Sequence, residues 1–431
     1  MNRRANTPRV VVVGAGPAGL MAAGTAAGHG ADVLLLEKNA GCGQKLLLTG
    51  AGRCNITNHA SRDDFLDRFA VNRKFLIPAF RHFFVEDLLE FFSTLNLSFV
   101  LEKNGKYFPQ TQRATSVRDA LLAYCQKQSV EIHEAEAAED LKRQIGQWSI
   151  RTRHRTYTAD AVILATGGLS YPKTGSDGAG HRLAAKLGHQ VISCRPGLVP
   201  LVISQPDCAR LSGISLNDVA VTLRDSKAAG SSGKISRRRG SLLFTHFGVS
   251  GPVVLTLSRW LPPDYDQPSQ ANSYELVIDL FPGLPRAEVE EQLLKACRRV
   301  PKRLLRTILS RDLTLPQTFA SWLIELCGLK PDMAGQHLSL DGSRRMTAAL
   351  KALRLPIAGT RGYEEAMITA GGISTREIDP RTMASKRYPG LYFAGEIIDV
   401  DADTGGFNLQ VAFSTGYLAG RSAAGYNAKH N

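Results

Sequence analysis

The least interrupted apolar pattern in the chain is Arg9-Val10-Val11-Val12-Val13, four consecutive valines with no polar alternation. Such a run predicts a strand buried on both faces. Glycines follow at 14, 16 and 19, then an alanine-rich segment of helical type, then Val33-Leu34-Leu35-Leu36 with Glu37 at its end. Strand, glycine turn, helix and strand together predict a βαβ unit over residues 9–37. Residues 62–98 carry helical periodicity and phenylalanines at 65, 69, 75, 80, 83, 84, 91 and 92, read as an apolar face against a core and not as a base-stacking platform. A helix is expected over 116–128, a strand from 130 to 133, a buried strand over 159–168 ending in small residues, and a helix over 179–187.

The pattern then changes. Residues 193–285 alternate short β-rich runs (199–203, 219–223, 274–280) with turn residues, which predicts an inserted barrel or sandwich. Residues 286–340 are helical in pattern and rich in Arg and Lys. Residues 366–431 return to strand, turn and helix, with 390–396 as a buried strand. The expected fold class is therefore α/β: a discontinuous Rossmann-type domain (1–192 and 357–431), an inserted β-barrel domain (193–285 and 341–356) and a small basic helical domain (286–340).

A length of 431 residues exceeds a single hydrophobic core, and 43% apolar with 21% charged residues is ordinary globular composition. No apolar run reaches the ~18 residues of a spanning helix. Residues 1–6 pass straight into the first strand and leave no room for a signal peptide, so a cytoplasmic location is expected. The seven cysteines are scattered and never spaced as CxxC, which argues against a disulfide framework or a zinc site.

The glycines carry specific chemistry. Gly14 makes the tight turn, Gly16 admits a pyrophosphate to the backbone N–H groups, and Gly19 lets helix and strand pack closely. The diphosphate then faces a positive helix end, and Glu37 falls where a carboxylate accepts the hydroxyl protons of an adenosine ribose. By itself this leaves NAD and FAD open. Ala165-Thr166-Gly167-Gly168 and Tyr392-Phe393-Ala394-Gly395-Glu396 are two further small-residue strand ends against which an extended dinucleotide can lie, and they favour FAD. No second GxGxxG marks a nicotinamide domain, so NADH or NADPH would dock transiently as electron donor, or another donor serves.

With these residues stand Gln44-Lys45, the loop Thr49-Gly50-Ala51-Gly52-Arg53-Cys54-Asn55-Ile56-Thr57-Asn58, Leu243 to Pro252, Thr369-Ala370-Gly371-Gly372-Ile373, Asp399, and Gly405-Gly406-Phe407-Asn408-Leu409-Gln410. Over nearly its whole length the chain resembles the YhiN-like (BaiN/RdsA) flavoprotein family. That resemblance implies FAD, held by Gly14, Ala15, Gly16, Pro17, Ala18, Gly19, Glu37, Lys38, Lys45, Gly52, Arg53, Asn55, Thr166, Gly167, Gly168, Gly395, Glu396, Asp399, Gly406, Phe407, Asn408 and Gln410. Family members include a ribosomal RNA dihydrouridine synthase, a reductase of bile-acid enones and an oxidase of aminoacetone. The chain departs from the family pattern at Ala384, where an acid is usual, and near Ala402, where a glycine is.

Charge enters at the substrate. The formal net charge of +14 raises the local concentration of polyanions. Arg237-Arg238-Arg239 and the series Arg299, Lys302, Arg303 and Arg306 nominate an RNA-binding surface, the latter on one helix face if Pro301 sits in a first turn. Such a face can neutralise phosphates, or can simply be solvated. The expected activity is FAD-dependent reduction of a uridine in large-subunit ribosomal RNA, by hydride transfer to uracil C6 and protonation of C5. A small-molecule enone or amine substrate is the alternative. Cys54 and His246 are the candidate acids, each with a structural alternative: a buried thiol bracing its turn, and a histidine satisfied in the core. Arg53 stabilises flavin charge or binds diphosphate. Asn408 and Gln410 hold the isoalloxazine edge or their own loop.

Overall fold

A computed structural model describes residues 7–144, 146–228, 233–265 and 267–426 of the chain. The hexapeptide 1–6, on which the signal-peptide expectation bears, lies outside them. The chain divides into two compact units, Met1–Gly197 with Tyr363–Asn431, and Leu198–Gly362.

In the first unit, Arg9–Val13 is the middle strand of a five-stranded sheet, flanked on one side by Ala161–Leu164 and Leu391–Phe393 and on the other by Asp32–Leu36 and Glu131–His133. All of these pairings are parallel. Val10 to Val13 are buried with paired strands on both sides, in a central position that explains a run without alternation. The helix Pro17–Gly28 lies against the helix Phe407–Ala424 at very short range. A β-carbon on Gly416 would lie 2.4 Å from the Ala18 carbonyl oxygen, and one on Gly420 would lie 2.3 Å from that of Ala22. The phenylalanine-rich stretch folds as short helices, Arg62–Leu66, Ile77–His82 and Val85–Ser93. Its rings pack inward: Phe65 sits 5.3 Å from Phe80, 5.1 Å from Phe84 and 4.7 Å from Phe407.

The second unit is built on a closed barrel of Leu201–Ile203, Gly248–Ser250, Lys234–Thr245, Ser215–Asp225, Tyr274–Asp279 and Leu353–Thr360, in that order. Helices Arg286–Arg299, Leu305–Arg311, Gln317–Leu326 and Leu340–Lys351 belong to the same unit. They share its apolar core: Phe244 of the barrel packs 5.7 Å from Phe319 and 6.3 Å from Trp322.

Candidate functional site

The glycine turn is built as its sequence demands. Gly14 has φ +100°, donates its N–H to Leu36 O at 2.8 Å, and has no room for a side chain, since a β-carbon would lie 2.7 Å from Ala165 O. Gly16 caps the helix that follows; no side chain caps it, Pro17 supplies a preset φ, and nothing stands within 4 Å of where a β-carbon would be. The first-turn N–H groups of that helix therefore face an open cradle.

Glu37 is buried at the end of the second strand. Its Oε2 accepts the Ala15 N–H at 2.8 Å and its Oε1 the Asn39 N–H at 2.9 Å, so the carboxylate holds the glycine loop while each oxygen keeps a lone pair for a sugar hydroxyl. Thr166 Oγ1, beside Gly14 at the end of Ala161–Leu164, and Asn55 Oδ1, in the loop against Gly50, are buried without a hydrogen-bond partner. Buried polar atoms without partners are costly in a finished protein. An open cradle, a carboxylate with spare lone pairs and two orphaned polar atoms fit an extended dinucleotide such as FAD.

Lys45 is drawn into a network around Glu396. Its Nζ donates to Ser170 Oγ and, at 2.6 Å, to Glu396 Oε2. Burial alone would raise the Glu396 carboxyl, but the Lys45 ammonium and the N–H of Thr369 hold it below its ordinary value. Lys38 turns to Asp177 at 2.7 Å. Asp399 accepts two hydrogen bonds from Asn72 Nδ2, at its backbone oxygen (2.8 Å) and at Oδ2 (2.9 Å), and burial raises its carboxyl. Gly52, Gly167, Gly395 and Gly406 all have positive φ. Gly168 abuts Thr369, and the buried Phe407 belongs to the aromatic core.

Several nominated residues are engaged elsewhere. Asn408 donates to Ala402 O (3.0 Å) and Asp403 O (3.3 Å) and accepts from Ala402 N–H (2.9 Å), so it holds its own loop. Gln410 is fully buried between Thr57 Oγ1 (2.6 Å) and Ser414 Oγ (3.0 Å). Arg53 reaches Glu102 and Gln112, each at 2.9 Å, and lies 3.9 Å over the Phe108 ring, which directs its guanidinium to these neighbours. Cys54 is fully buried at φ +63°, and burial pushes its thiol up to about 12; it braces the turn. His246, expected to be buried, is instead exposed, in the two-residue turn between Lys234–Thr245 and Gly248–Ser250, with its ring edge-on to Phe247.

The basic residues also fall differently from expectation. The helix Arg286–Arg299 ends before Pro301, with Val300 at φ −132° and ψ 65°, and the next helix begins only at Leu305. Proline removes a donor and forces the preceding residue out of the helical region, so Arg299, Lys302, Arg303 and Arg306 do not share one helix face. Arg299 pairs with Asp312, and Arg303 approaches the same carboxylate at 3.6 Å. Arg306 Nε is buried without a partner. In the barrel, Arg239 forms a two-point pair with Asp218 (2.6 and 2.7 Å), Arg237 lies 3.6 Å from Asp279, and Arg238 donates to Arg237 O.

Sequence reasoning missed Ser170 and Asn72, which no local motif singles out, and it quoted Thr369 in a motif without giving it a role. It also missed a Ser385–His189–Glu377 array, with His189 Nδ1 2.9 Å from Glu377 Oε2 and Nε2 3.2 Å from Ser385 Oγ. Ser385 Oγ is buried and accepts the N–H groups of Arg387 (3.1 Å) and Tyr388 (3.0 Å), so this array staples the chain and presents no nucleophile. Among the described residues no group of three or more His, Cys, Asp or Glu is placed to hold a metal ion, and no helix is long and apolar enough to cross a membrane.

The HI0933-like protein Rossmann domain family matches residues 8–422. The chain is 31% identical over 420 residues to the 3-dehydro-bile acid delta(4,6)-reductase of Clostridium scindens, covering 96% of this chain and 99% of that one. It is 31% identical over 412 residues to the ribosomal RNA dihydrouridine synthase of Escherichia coli, covering 94% and 96%, and 30% identical over 419 residues to that of Haemophilus influenzae, covering 96% and 97%.

Proposed function

Since the chain belongs to the HI0933-like Rossmann-domain family, we propose that it is an FAD-dependent oxidoreductase that reduces a carbon–carbon double bond conjugated to a carbonyl, with a uracil ring of large-subunit ribosomal RNA as substrate. The cradle of Gly14, Gly16 and Gly19 above Glu37 carries the cofactor assignment. Support for the substrate comes from the two relatives named as ribosomal RNA dihydrouridine synthases and from a net charge of +14, which favours a polyanion. A ribosomal RNA substrate implies work in the cytoplasm.

When bound, FAD supplies a two-electron hydride donor, recharged by NADH or NADPH docking transiently. The chain's part is to bind and orient. The first turn of the Pro17–Gly28 helix binds the diphosphate, Glu37 orients the ribose, and the Lys45–Glu396 pair lies at the cradle's border. Of the two acids nominated from sequence, His246 keeps the solvent access that a proton donor needs and Cys54 does not.

A second reading is favoured by the ion pairs of Arg239 and Arg299, which spend nominated RNA contacts on internal carboxylates. It makes the substrate a small enone, as in the bile-acid reductase. Quantifying dihydrouridine in large-subunit ribosomal RNA from cells with and without this chain separates the two. Loss of one dihydrouridine, restored by the wild-type chain, supports RNA; no change, with purified protein reducing a steroid enone, supports the second reading.

A further inference from the structure

Leu164, Val13 and Leu36 stand side by side in one row of the parallel sheet. The segments that leave them, 165–168, the glycine turn and 37–39, therefore share its C-terminal edge, with the glycine turn in the middle. The chain beyond Gly168 does not stay on its own side. It makes a compact loop whose ends meet, the Gly178 N–H donating to Gly168 O at 3.1 Å, and whose tip is the tight turn Pro172–Thr174. That tip reaches the far strand end, where Asn39 Nδ2 donates to Thr174 O at 2.9 Å and Lys38 Nζ lies 2.7 Å from Asp177 Oδ2. A loop rooted at one outer strand end and tied to the other spans the edge between them, where a dinucleotide lies in a fold of this kind.

Root and tip are held differently. At the root, Thr369 Oγ1 accepts the N–H groups of Leu169 (2.7 Å) and Ser170 (3.1 Å), and the Tyr171 N–H donates to Tyr363 O at 2.9 Å. The tip is fitted but lightly tied. Gly175 has φ +102°, and a β-carbon there would lie 2.5 Å from Asn39 Nδ2, so glycine is what lets that amide in. The ties are one neutral hydrogen bond and one ion pair whose side chains are 30% and 41% exposed, an arrangement that opens at modest cost. The Asn39 N–H meanwhile donates to Glu37 Oε1, so one residue touches both the loop and the carboxylate assigned to the ribose. Thr166, whose Oγ1 is buried without a partner, stands two residues before the loop begins.

We propose that Lys38 and Asn39 are positioning residues that, through Asp177 and Thr174, clasp the loop 168–178 across the glycine cradle, so that FAD enters and leaves only when the clasp opens. The inference rests on the reading of the cradle as an FAD site, and it takes Lys38 out of the set of direct cofactor contacts. Burial alone would raise the Asp177 carboxyl, but Lys38 and the Ala179 N–H hold it below its ordinary value, so the tie stays charged at neutral pH. Both partners of each tie belong to the chain, and the clasp therefore acts on entry as it does on exit. Salt screens a partly exposed pair, so ionic strength loosens it.

The test uses the full chain as wild type, Lys38→Met, Asp177→Asn, Lys38→Met/Asp177→Asn and Asn39→Ala. Chasing bound radiolabelled FAD with unlabelled FAD at low and high salt reads release, and stopped-flow fluorescence reads association. In each single variant both rates are expected to rise about fivefold, the scale of one partly exposed ion pair or hydrogen bond, leaving affinity within about twofold. The double variant is no faster than Lys38→Met, and salt quickens release from wild type but not from Lys38→Met. Unchanged rates overturn the proposal. So does faster release at unchanged association, the mark of a lost contact with the cofactor. So do opposite responses, Lys38→Met releasing FAD faster and Asp177→Asn more slowly than wild type, because a lysine freed from its aspartate would then grip a phosphate directly. A wild-type chain that binds no FAD overturns the FAD reading itself, an outcome visible before any variant is made.

Discussion

Gly19 faces Gly14 so closely that a β-carbon on Gly19 would lie 1.8 Å from the Gly14 carbonyl oxygen. The clash is with backbone on a central strand end, so it has no cheap relief. Gly19→Ala is expected to cost more than about 3 kcal/mol of stability, at the severe end of single substitutions. Gly16→Ala meets open space and should stay within about 1 kcal/mol, the usual cost of alanine at a helix cap, while weakening FAD binding. Urea denaturation with fluorimetric FAD titration compares the pair; equal stability losses would contradict the geometry.

Arg53 offers a cleaner separation of structure from binding. It is held by Glu102, Gln112 and the Phe108 ring at a half-exposed position. Arg53→Ala should cost about 1 kcal/mol, the scale of an exposed ion pair plus a cation–π contact. FAD affinity should change less than threefold. A large loss of affinity at unchanged stability would return Arg53 to the cofactor.

His189 makes stability fall in acid. Burial holds its imidazole below the ordinary 6.5, even though Glu377 pulls the other way. The native state therefore resists protonation that the unfolded chain accepts, so this contribution is complete above about pH 6.5 and is lost as pH falls below it. Glu377, held below 4.5 by its partners against burial, adds a further loss at still lower pH. Melting temperature should drop between pH 7.5 and 5, and His189→Gln should flatten that slope; a slope unchanged in the variant would remove His189 as its origin.

Asp312 is the keystone of the pairing with Arg299 and Arg303. Asp312→Asn leaves two arginines without their carboxylate, and a loss of about 1–2 kcal/mol is expected for so exposed a pair of cations. If RNA is the substrate, the freed cations should tighten RNA binding and steepen its salt dependence. Filter binding at two salt concentrations reads this directly.

Cys54 should be chemically silent. A thiol pushed up to about 12 in a fully buried turn offers almost no thiolate, so iodoacetamide at pH 8 should label it only after unfolding. Rapid labelling of native protein would place Cys54 at a surface after all.

What could be read from sequence was local. The Val10 to Val13 run and Gly14, Gly16 and Gly19 specify strand, turn and helix within a dozen residues, and the structure builds them so. The Lys45–Glu396 pair joins positions 351 apart, and nothing in either neighbourhood names the other. The basic face was misjudged for a related reason: charge is visible along a chain, but Asp218 and Asp312, which spend it, arrive from other segments. The shared basic face required Pro301 in a first turn, whereas the helix Arg286–Arg299 ends before it and the next begins at Leu305. His246 was judged by its apolar neighbours, but a two-residue hairpin turn exposes side chains whatever flanks them.

The contacts of Gly416 and Gly420 with the Ala18 and Ala22 carbonyls bear on how the molecule is made. The helix that opens the nucleotide cradle is completed by one almost 400 residues later, and the strand Leu391–Phe393 joins the same sheet. During synthesis the glycine loop emerges before its packing partner, which follows only after the whole barrel unit. A chain interrupted before residue 407 therefore carries Gly14, Gly16, Gly19 and Glu37 and still lacks the helix that packs against the Pro17–Gly28 helix.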